Sequence, residues 1–600
     1  MPRRAFPCLL ATLAVLLISS ATATVGQAEK PKAKRKTQPP QSASSTYVGS
    51  AACTRCHLSI ANQFAKTSMG RSLTAITPDF LKTLPVSATY YDAKSGHHFE
   101  VHAEDGKLYQ TEFQTDAAGK DIFRNTHQLE WIVGTGENGF GALLRRDSYL
   151  FQAPLSYYSR AAHWDLSPGY QNGDYGFNRL IVPGCIYCHS GRPQPIAGYS
   201  GKYDATPFQQ TSVGCENCHG PGSAHVEAMQ AGEETKGADP TIVNPQRLAG
   251  QLSDDICISC HQTGDARVLK PGKTYQDFRP GHPLDETVSV FEIPPTRENP
   301  PQDDHVEHYY SMSLSKCFRA SQTGSSPMRC ITCHDPHVEP TGADIPAFYN
   351  AKCLTCHTTQ SCTEKQETRH ATLTTTKVAD NCISCHMPKR DVKVISHSSI
   401  TNHRILARPD EPFPDEAFAQ TTAAMPDLIH LNPAGPRADK SKVPAPPALI
   451  RLQAYAELLS KKPEYTASWR KTLSEIESSG PSDAESPIAQ AALGHRDLQD
   501  RRLTEAAAHL NHALQLDPLQ PQVYIDLSET ADLSGQPEDA ITYARKAVEL
   551  DPFTAPLQKT LVFRLISGKH YEEAEAAMVK YLQNFPEDDF MRKMLAIARE

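Results

Sequence analysis

The sequence predicts a mainly α, loop-rich domain with a small antiparallel β-sheet insertion, followed by an α-α helical-repeat solenoid. Three observations predict this: seven Cys-x-x-Cys-His segments between Cys53 and His386, an alternating, aromatic-rich stretch between the first two of them, and a step of 34 residues near the C-terminus. A length of 600 residues implies several domains, and 46 prolines imply loops and linkers in quantity. A charged fraction of 21% with a net charge of −8 supplies no basic field, which argues against nucleic acid as a partner.

The cysteines carry the chemistry. Of 17, fourteen form seven pairs, each followed by histidine: Cys53/Cys56/His57, Cys185/Cys188/His189, Cys215/Cys218/His219, Cys257/Cys260/His261, Cys330/Cys333/His334, Cys353/Cys356/His357 and Cys382/Cys385/His386. Chance placement of histidine after all seven has a probability on the order of 10⁻¹⁰. On a helical turn, residues i and i+3 share a face, so two thiols can add to the two vinyl groups along one porphyrin edge. The histidine at i+4 then aims its imidazole at the iron. Each segment is therefore read as the attachment site of one haem c, seven in all, with the histidine as proximal ligand. Zinc ribbons need paired knuckles and do not demand the trailing histidine, and disulfide frameworks do not select it either. Cys8, Cys317 and Cys362 remain, and the sequence leaves open whether the last two form a disulfide.

Residues 1–23 read as an export signal: Arg3 and Arg4, then the apolar run Leu9 to Ile18, then Ala21-Thr22-Ala23 as a cleavage site. The run is too short to span a bilayer. A periplasmic or other extracytoplasmic location follows, with membrane association at most peripheral. Residues 24–46, with Lys30, Lys32, Lys34, Arg35 and Lys36, read as a disordered basic tether.

Residues 47–408 form the expected seven-haem cytochrome domain, in which porphyrin faces take the place of much of an apolar core. Within it, about residues 85–165 read as β-rich: Lys107–Phe113, Gln128–Val133 and Ser148–Phe151 alternate or are aromatic. Thirteen histidines are available for the distal iron positions: His97, His98, His102, His127, His163, His225, His282, His305, His308, His337, His370, His397 and His403. Closeness to a motif singles out His225, His337, His397 and His403.

Residues 409–447 are proline-rich and read as a linker. From 448 to 600, a step of 34 runs through Leu493, Leu527 and Leu561, through Ala506, Ala540 and Ala574, and through Pro518, Pro552 and Pro586. This period marks the tetratricopeptide repeat, whose stacked helix pairs present a groove for a protein partner.

Several stretches resemble the periplasmic multihaem cytochromes with C-terminal tetratricopeptide repeats, in the superfamily of hydroxylamine oxidoreductase, octahaem tetrathionate reductase and pentahaem nitrite reductase. They are Tyr47-Val48-Gly49-Ser50, Leu166-Ser167-Pro168-Gly169-Tyr170, Cys218-His219-Gly220-Pro221-Gly222-Ser223-Ala224-His225, Cys333-His334-Asp335-Pro336-His337 and Cys385-His386-Met387-Pro388-Lys389. The resemblance implies that His225 and His337 are distal ligands of haems attached elsewhere in the chain. Gly134-Thr135-Gly136-Glu137-Asn138-Gly139 stands where relatives often carry histidine, which leaves one distal position unassigned. The expected function is electron transfer between redox partner proteins, with the repeats docking a protein. One alternative is an oxidoreductase acting on a small nitrogen or sulfur compound at one open haem, and another is a scaffold with a redox-sensing haem module. No Cys-x-x-Cys-Lys occurs, which favours transfer over catalysis.

Overall fold

Alternating side chains build the β-rich part of the chain. In the computed structural model, residues 45–600 are described, apart from Asp174, 234–236, 302–307, Ser325, 364–380, 390–399, Ala424 and 434–444. The strands Ala88–Asp92, His97–Glu104, Lys107–Thr115 and Asp121–Leu129 form a four-stranded antiparallel meander. Its central hairpin closes on Asp105-Gly106, both with positive φ, the backbone a two-residue turn between right-twisted strands needs. Phe99, Val101, Leu108 and Leu129 turn to one face and are buried there.

A five-stranded antiparallel sheet follows in the order Leu73–Ala75, Trp131–Val133, Gly141–Arg146, Tyr149–Gln152, Arg179–Leu180. Because successive side chains point to opposite faces, Ile132, Leu144 and Phe151 join the core under the meander. Trp131, Leu143 and Leu150 enter a second core with Ile181, Ile186, Tyr203 and Phe208. Strand structure thus starts before the predicted stretch, at Leu73, and continues beyond it in the pair Gly191–Pro195 and Tyr203–Gln210.

A three-stranded sheet, Ala266–Leu269, Val288–Glu292 and Ile429–His430, was not foreseen, since its last strand is two residues long and pairs across more than a hundred residues of chain. It draws in the proline-rich stretch read as a linker. Over the described part of that stretch, Ala417, Met425, Leu428, Ile429 and Leu431 are buried, Leu431 N donates to Val290 O (2.9 Å), and the Asn432 side chain bonds Val288 O and Val290 N (2.7 and 2.8 Å). Burial of its apolar residues and satisfaction of the strand's edge hold this segment down.

Paired antiparallel helices form the C-terminal part: Ala448–Leu459, Thr466–Ser478, Pro487–Gln499, Leu503–Leu516, Pro521–Leu533, Pro537–Leu550, Ala555–Ser567, Tyr571–Asn584 and Asp589–Arg599. Proline at the first turn of Pro487–Gln499, Pro521–Leu533 and Pro537–Leu550 gives up only an N–H that the helix leaves unpaired. Ala506, Ala540 and Ala574 are buried, small residues at one step of the repeat where paired helices meet. At Gly494 a Cβ would stand 2.5 Å from Leu510 Cγ, so glycine sets the approach of that pair. The first helix shares a core with Ala266, Val268 and Phe291 of the three-stranded sheet. Further along, Phe553 lies 4.9 Å from the rings of Tyr149 and Phe151, beneath the Arg146 guanidinium, and Asn178 Nδ2 donates to Asn584 O (2.7 Å). The repeat is packed along the β-rich region.

Candidate functional site

Each Cys-x-x-Cys-His segment lies on or at the end of a short helix: Ser50–Thr54, Pro183–Tyr187, Cys215–His219, Gly250–His261, Cys330–Cys333, Asp344–Cys353 and Cys382–His386. The i+4 relation is explicit in the backbone, where His57 N donates to Cys53 O (2.9 Å), His334 N to Cys330 O (3.1 Å) and His357 N to Cys353 O (3.0 Å). One turn thereby carries two sulfurs and an imidazole on adjoining faces.

His189 departs from that expectation. The helix Pro183–Tyr187 ends two residues before it, and His189 N donates to Ile186 O (3.1 Å), three residues back, where the i+4 bond would have used Cys185 O. The same Ile186 carbonyl also accepts from Ser190 N (3.0 Å), so the chain closes on a tightened last turn. Gly191 follows and starts the strand Gly191–Pro195. At the second segment, then, an i+3 backbone hydrogen bond replaces the i+4 bond that His57, His334 and His357 make. His189 is half-buried, and its carbonyl, accepting from Ser72 Oγ (2.9 Å), ties the turn to the chain just before Leu73–Ala75.

Among the described residues, tertiary structure brings a second imidazole opposite His57, His219, His261 and His334. His225 faces His57 with ring centres 6.4 Å apart and planes at 21°, His337 faces His219 at 5.9 Å and 17°, and His403 faces His334 at 6.2 Å and 27°. His308 stands 5.2 Å from His261 at 70° and 4.8 Å from His403. A metal bound on both faces at about 2.0–2.1 Å, with each ring centre about 1.1 Å behind its nitrogen, separates trans imidazoles by about 6.3 Å. Three of the pairs match that spacing. Of the four histidines singled out in the sequence, three thus stand opposite a motif histidine, while His397 lies outside the described residues, as do His305, His370, the export signal and the tether up to residue 44. His308 carried no local signal, being far in sequence from both neighbours. Among the described residues, no second imidazole faces His357 or His386.

Hydrogen bonds settle which nitrogen each ring presents. Nδ1 of His219 donates to Val243 O (2.7 Å), that of His386 to Leu406 O (2.5 Å), that of His403 to Thr401 O (2.8 Å), and that of His225 to the Asp239 carboxylate (2.8 Å). A carbonyl only accepts, so those Nδ1 atoms hold the proton and Nε2 keeps its lone pair, the arrangement a ligating histidine needs. Burial pushes the His308 imidazole down to about 2 and His403 down to about 4, and lowers His219, His261 and His334 as well, so all are neutral bases at pH 7.

The segments are also neighbours. Thiols of different segments touch at Cys53/Cys215, Cys188/Cys260, Cys257/Cys330 and Cys353/Cys382. These contacts join the first segment to the third, the second to the fourth, the fourth to the fifth and the sixth to the seventh. The His219–His337 pair adds a link from the third to the fifth, and Cys333 beside Cys356 one from the fifth to the sixth. Cys317 is unbonded and lies beside Cys356, and Cys362 is also a free thiol. The first and third segments are tied by Glu216, whose buried carboxylate accepts from Val48 N (2.9 Å), Gly49 N (2.7 Å) and Gly222 N (2.8 Å).

The donor set fits haem. Donors come as opposed imidazole pairs, which suits an ion whose other four positions a porphyrin fills; among the described residues no cluster of three or more His, Cys, Asp or Glu is built for a bare ion. Apolar side chains at the segments stand open: Leu58 is 60% exposed directly after His57, and Leu354 is 46% exposed inside the sixth segment. A flat apolar group attached there would cover them.

Fold and sites together define the class: a region similar to multihaem cytochromes, joined to a helical repeat. Over 182 residues, 29% of this chain, the sequence is 25% identical to the multihaem cytochrome MtrA of Shewanella baltica (strain OS185), and it spans 51% of that protein's length. No protein-family model matches the chain. Solved structures similar to it include MamA (18% identity, covering 23% of this chain and 84% of MamA, TM-score 0.19) and the first tetratricopeptide domain of Spaghetti (RPAP3) bound to an HSP90 peptide (14%, 19% and 94%, TM-score 0.18).

Proposed function

We propose that this chain relays electrons in an extracytoplasmic compartment through seven covalently bound c-type haems, with the helical repeat docking a protein partner. The observation that carries the reading is the set of opposed imidazoles, His57/His225, His219/His337 and His334/His403, at 5.9–6.4 Å. Similarity to a multihaem cytochrome supports it. Haem supplies a one-electron couple at each site.

The protein's own groups do the rest. At His57, His219 and His334 the paired imidazoles would hold the haem iron from both sides and leave no open position for substrate. The Nδ1 bonds to Val243 O, Thr401 O and Asp239 fix ring orientation and make Nε2 a stronger donor. Contacts between segments keep neighbouring sites close enough for charge to pass along the chain of segments, from the first through the third to the fifth, sixth and seventh. The reading assigns Cys53, Cys56, Cys185, Cys188, Cys215, Cys218, Cys257, Cys260, Cys330, Cys333, Cys353, Cys356, Cys382 and Cys385 to thioether links, with electron donor and acceptor proteins as partners. The trailing histidines His57, His189, His219, His261, His334, His357 and His386 take the proximal positions, His189 from its tightened turn.

The test is the absorption spectrum of the reduced, purified protein with and without carbon monoxide. A relay gives low-spin spectra that carbon monoxide leaves unchanged. A high-spin, carbon-monoxide-binding fraction near one haem in seven replaces the relay with an oxidoreductase acting on a small nitrogen or sulfur compound.

A further inference from the structure

Arg267 stands where the second and fourth segments meet. It lies in the strand Ala266–Leu269, just after the helix Gly250–His261 that carries the fourth segment. Its guanidinium donates to Ser259 O (2.5 Å) and Gln262 O (3.0 Å), the two carbonyls that bracket Cys260 and His261. Ser259 O is also 3.9 Å from Cys188 Sγ of the second segment, and the charge of Arg267 reaches the sulfurs of both Cys188 and Cys260. Tyr275 flanks the guanidinium with its ring centre 5.4 Å away. From outside, the Glu457 carboxylate, on the first helix of the repeat, accepts from Arg267 N (2.9 Å).

An arginine at a helix C-terminus has an ordinary role, satisfying carbonyls that the helix leaves unpaired. Two features go beyond that role. The fork grips the carbonyls on either side of one attachment cysteine and its ligand, so the charge cannot swing away. It also faces a second segment. Guanidinium stays protonated at every pH the protein meets, and a fixed cation beside an electron-carrying group favours the state with one more electron. We propose that Arg267 is a positioning and tuning residue that raises the reduction potential of the haems at the second and fourth sites, with Glu457 of the repeat moderating its charge. The proposal rests on the haem reading above, and it gives the repeat a direct line to the redox sites besides any partner it docks.

The test uses the full-length holoprotein and three variants, Arg267→Gln, Arg267→Lys and Glu457→Gln, with haem content measured first and a stepwise potentiometric titration second. Arg267→Gln should keep its haems while one or two transitions move to lower potential by about tenfold in the one-electron equilibrium, 59 mV. Arg267→Lys, which keeps the charge but not the fork, should move the same transitions by less than half as much. Glu457→Gln, whose amide oxygen can still accept from Arg267 N, should move them upward.

A fully loaded Arg267→Gln protein whose titration overlays the wild type overturns the proposal, and so do equal shifts in the Gln and Lys variants, since geometry rather than charge would then be the cause. If Arg267→Gln does not accumulate, Glu457→Gln decides: an upward shift supports the proposal and an unchanged curve overturns it. Wild-type protein purified without haem is a different failure, because it defeats the electron-relay reading itself.

Discussion

At the scale of the residue, the decisive feature is a histidine whose Nδ1 is already spoken for. His225 is held by the Asp239 carboxylate at 2.8 Å and faces His57 across 6.4 Å. Under the relay reading, His225→Ala should leave haem content unchanged and open one site in seven: one equivalent of carbon monoxide per chain binds, and a high-spin band of matching size appears. Binding of no carbon monoxide by the variant would remove His225 from the axial set. His225 and His337 were legible in the sequence because each lies within six residues of a motif histidine. His308 was not. It sits 47 residues after His261, and only the folding of the chain between them places its ring 5.2 Å away.

At the scale of the element, legibility followed period and length. The 34-residue step marked helix pairs that the structure contains, because each pair repeats one packing problem with the same small residues. Predicted strand residues Lys107–Phe113 lie within the strand Lys107–Thr115, whereas Gln128–Val133 is divided between two sheets on either side of Glu130. A continuous apolar pattern cannot show where a chain leaves one sheet for the next. Nor does the spacing of a motif show how its last turn closes: the second segment has the same Cys-x-x-Cys-His as the others, yet His189 N bonds Ile186 O, three residues back, where His57, His334 and His357 bond the carbonyl four residues back.

Within the repeat, the helices Pro487–Gln499 and Pro521–Leu533 are bridged by His495 Nδ1 and the Asp526 carboxylate (2.9 Å), and this hydrogen bond raises the His495 imidazole above its ordinary value. A raised folded value means that the bridge contributes fully below about pH 6.5 and is lost as pH climbs through the raised value. Wild-type protein should therefore lose stability relative to Asp526→Asn between pH 6 and pH 8, as read from urea midpoints. His495 is 42% exposed, and solvent screening keeps the difference under about 1 kcal/mol. Parallel pH curves for the two proteins would show that the bridge does not contribute.

At the scale of the whole molecule, the repeat is a packed part of the structure and not a free arm. Phe553 enters the core beneath Tyr149 and Phe151, and Arg146 stacks on both phenylalanines (4.1 and 4.8 Å). Phe553→Ala should cost about 3–5 kcal/mol by leaving a cavity there. Hydrogen exchange should then rise both in the strand Tyr149–Gln152 and at the N-terminal turn of Ala555–Ser567. A rise confined to the repeat would mean that the two regions do not stabilise one another.

The sequence by itself determined the chemistry that depends on close neighbours in the chain: the cysteine pairs with their trailing histidines, the helical repeat and its 34-residue period, and the alternation that makes strands. Spacing along the chain is enough for these, because one helical turn or one strand carries the whole pattern. Only the tertiary structure decided which histidine faces which, which segments touch, how the proline-rich stretch is pinned beside Val290, and that Arg267 stands between two segments with Glu457 behind it. Those relations join residues tens to hundreds of positions apart, and they arise from the burial of shared apolar surface and the pairing of buried polar groups, which no local pattern encodes.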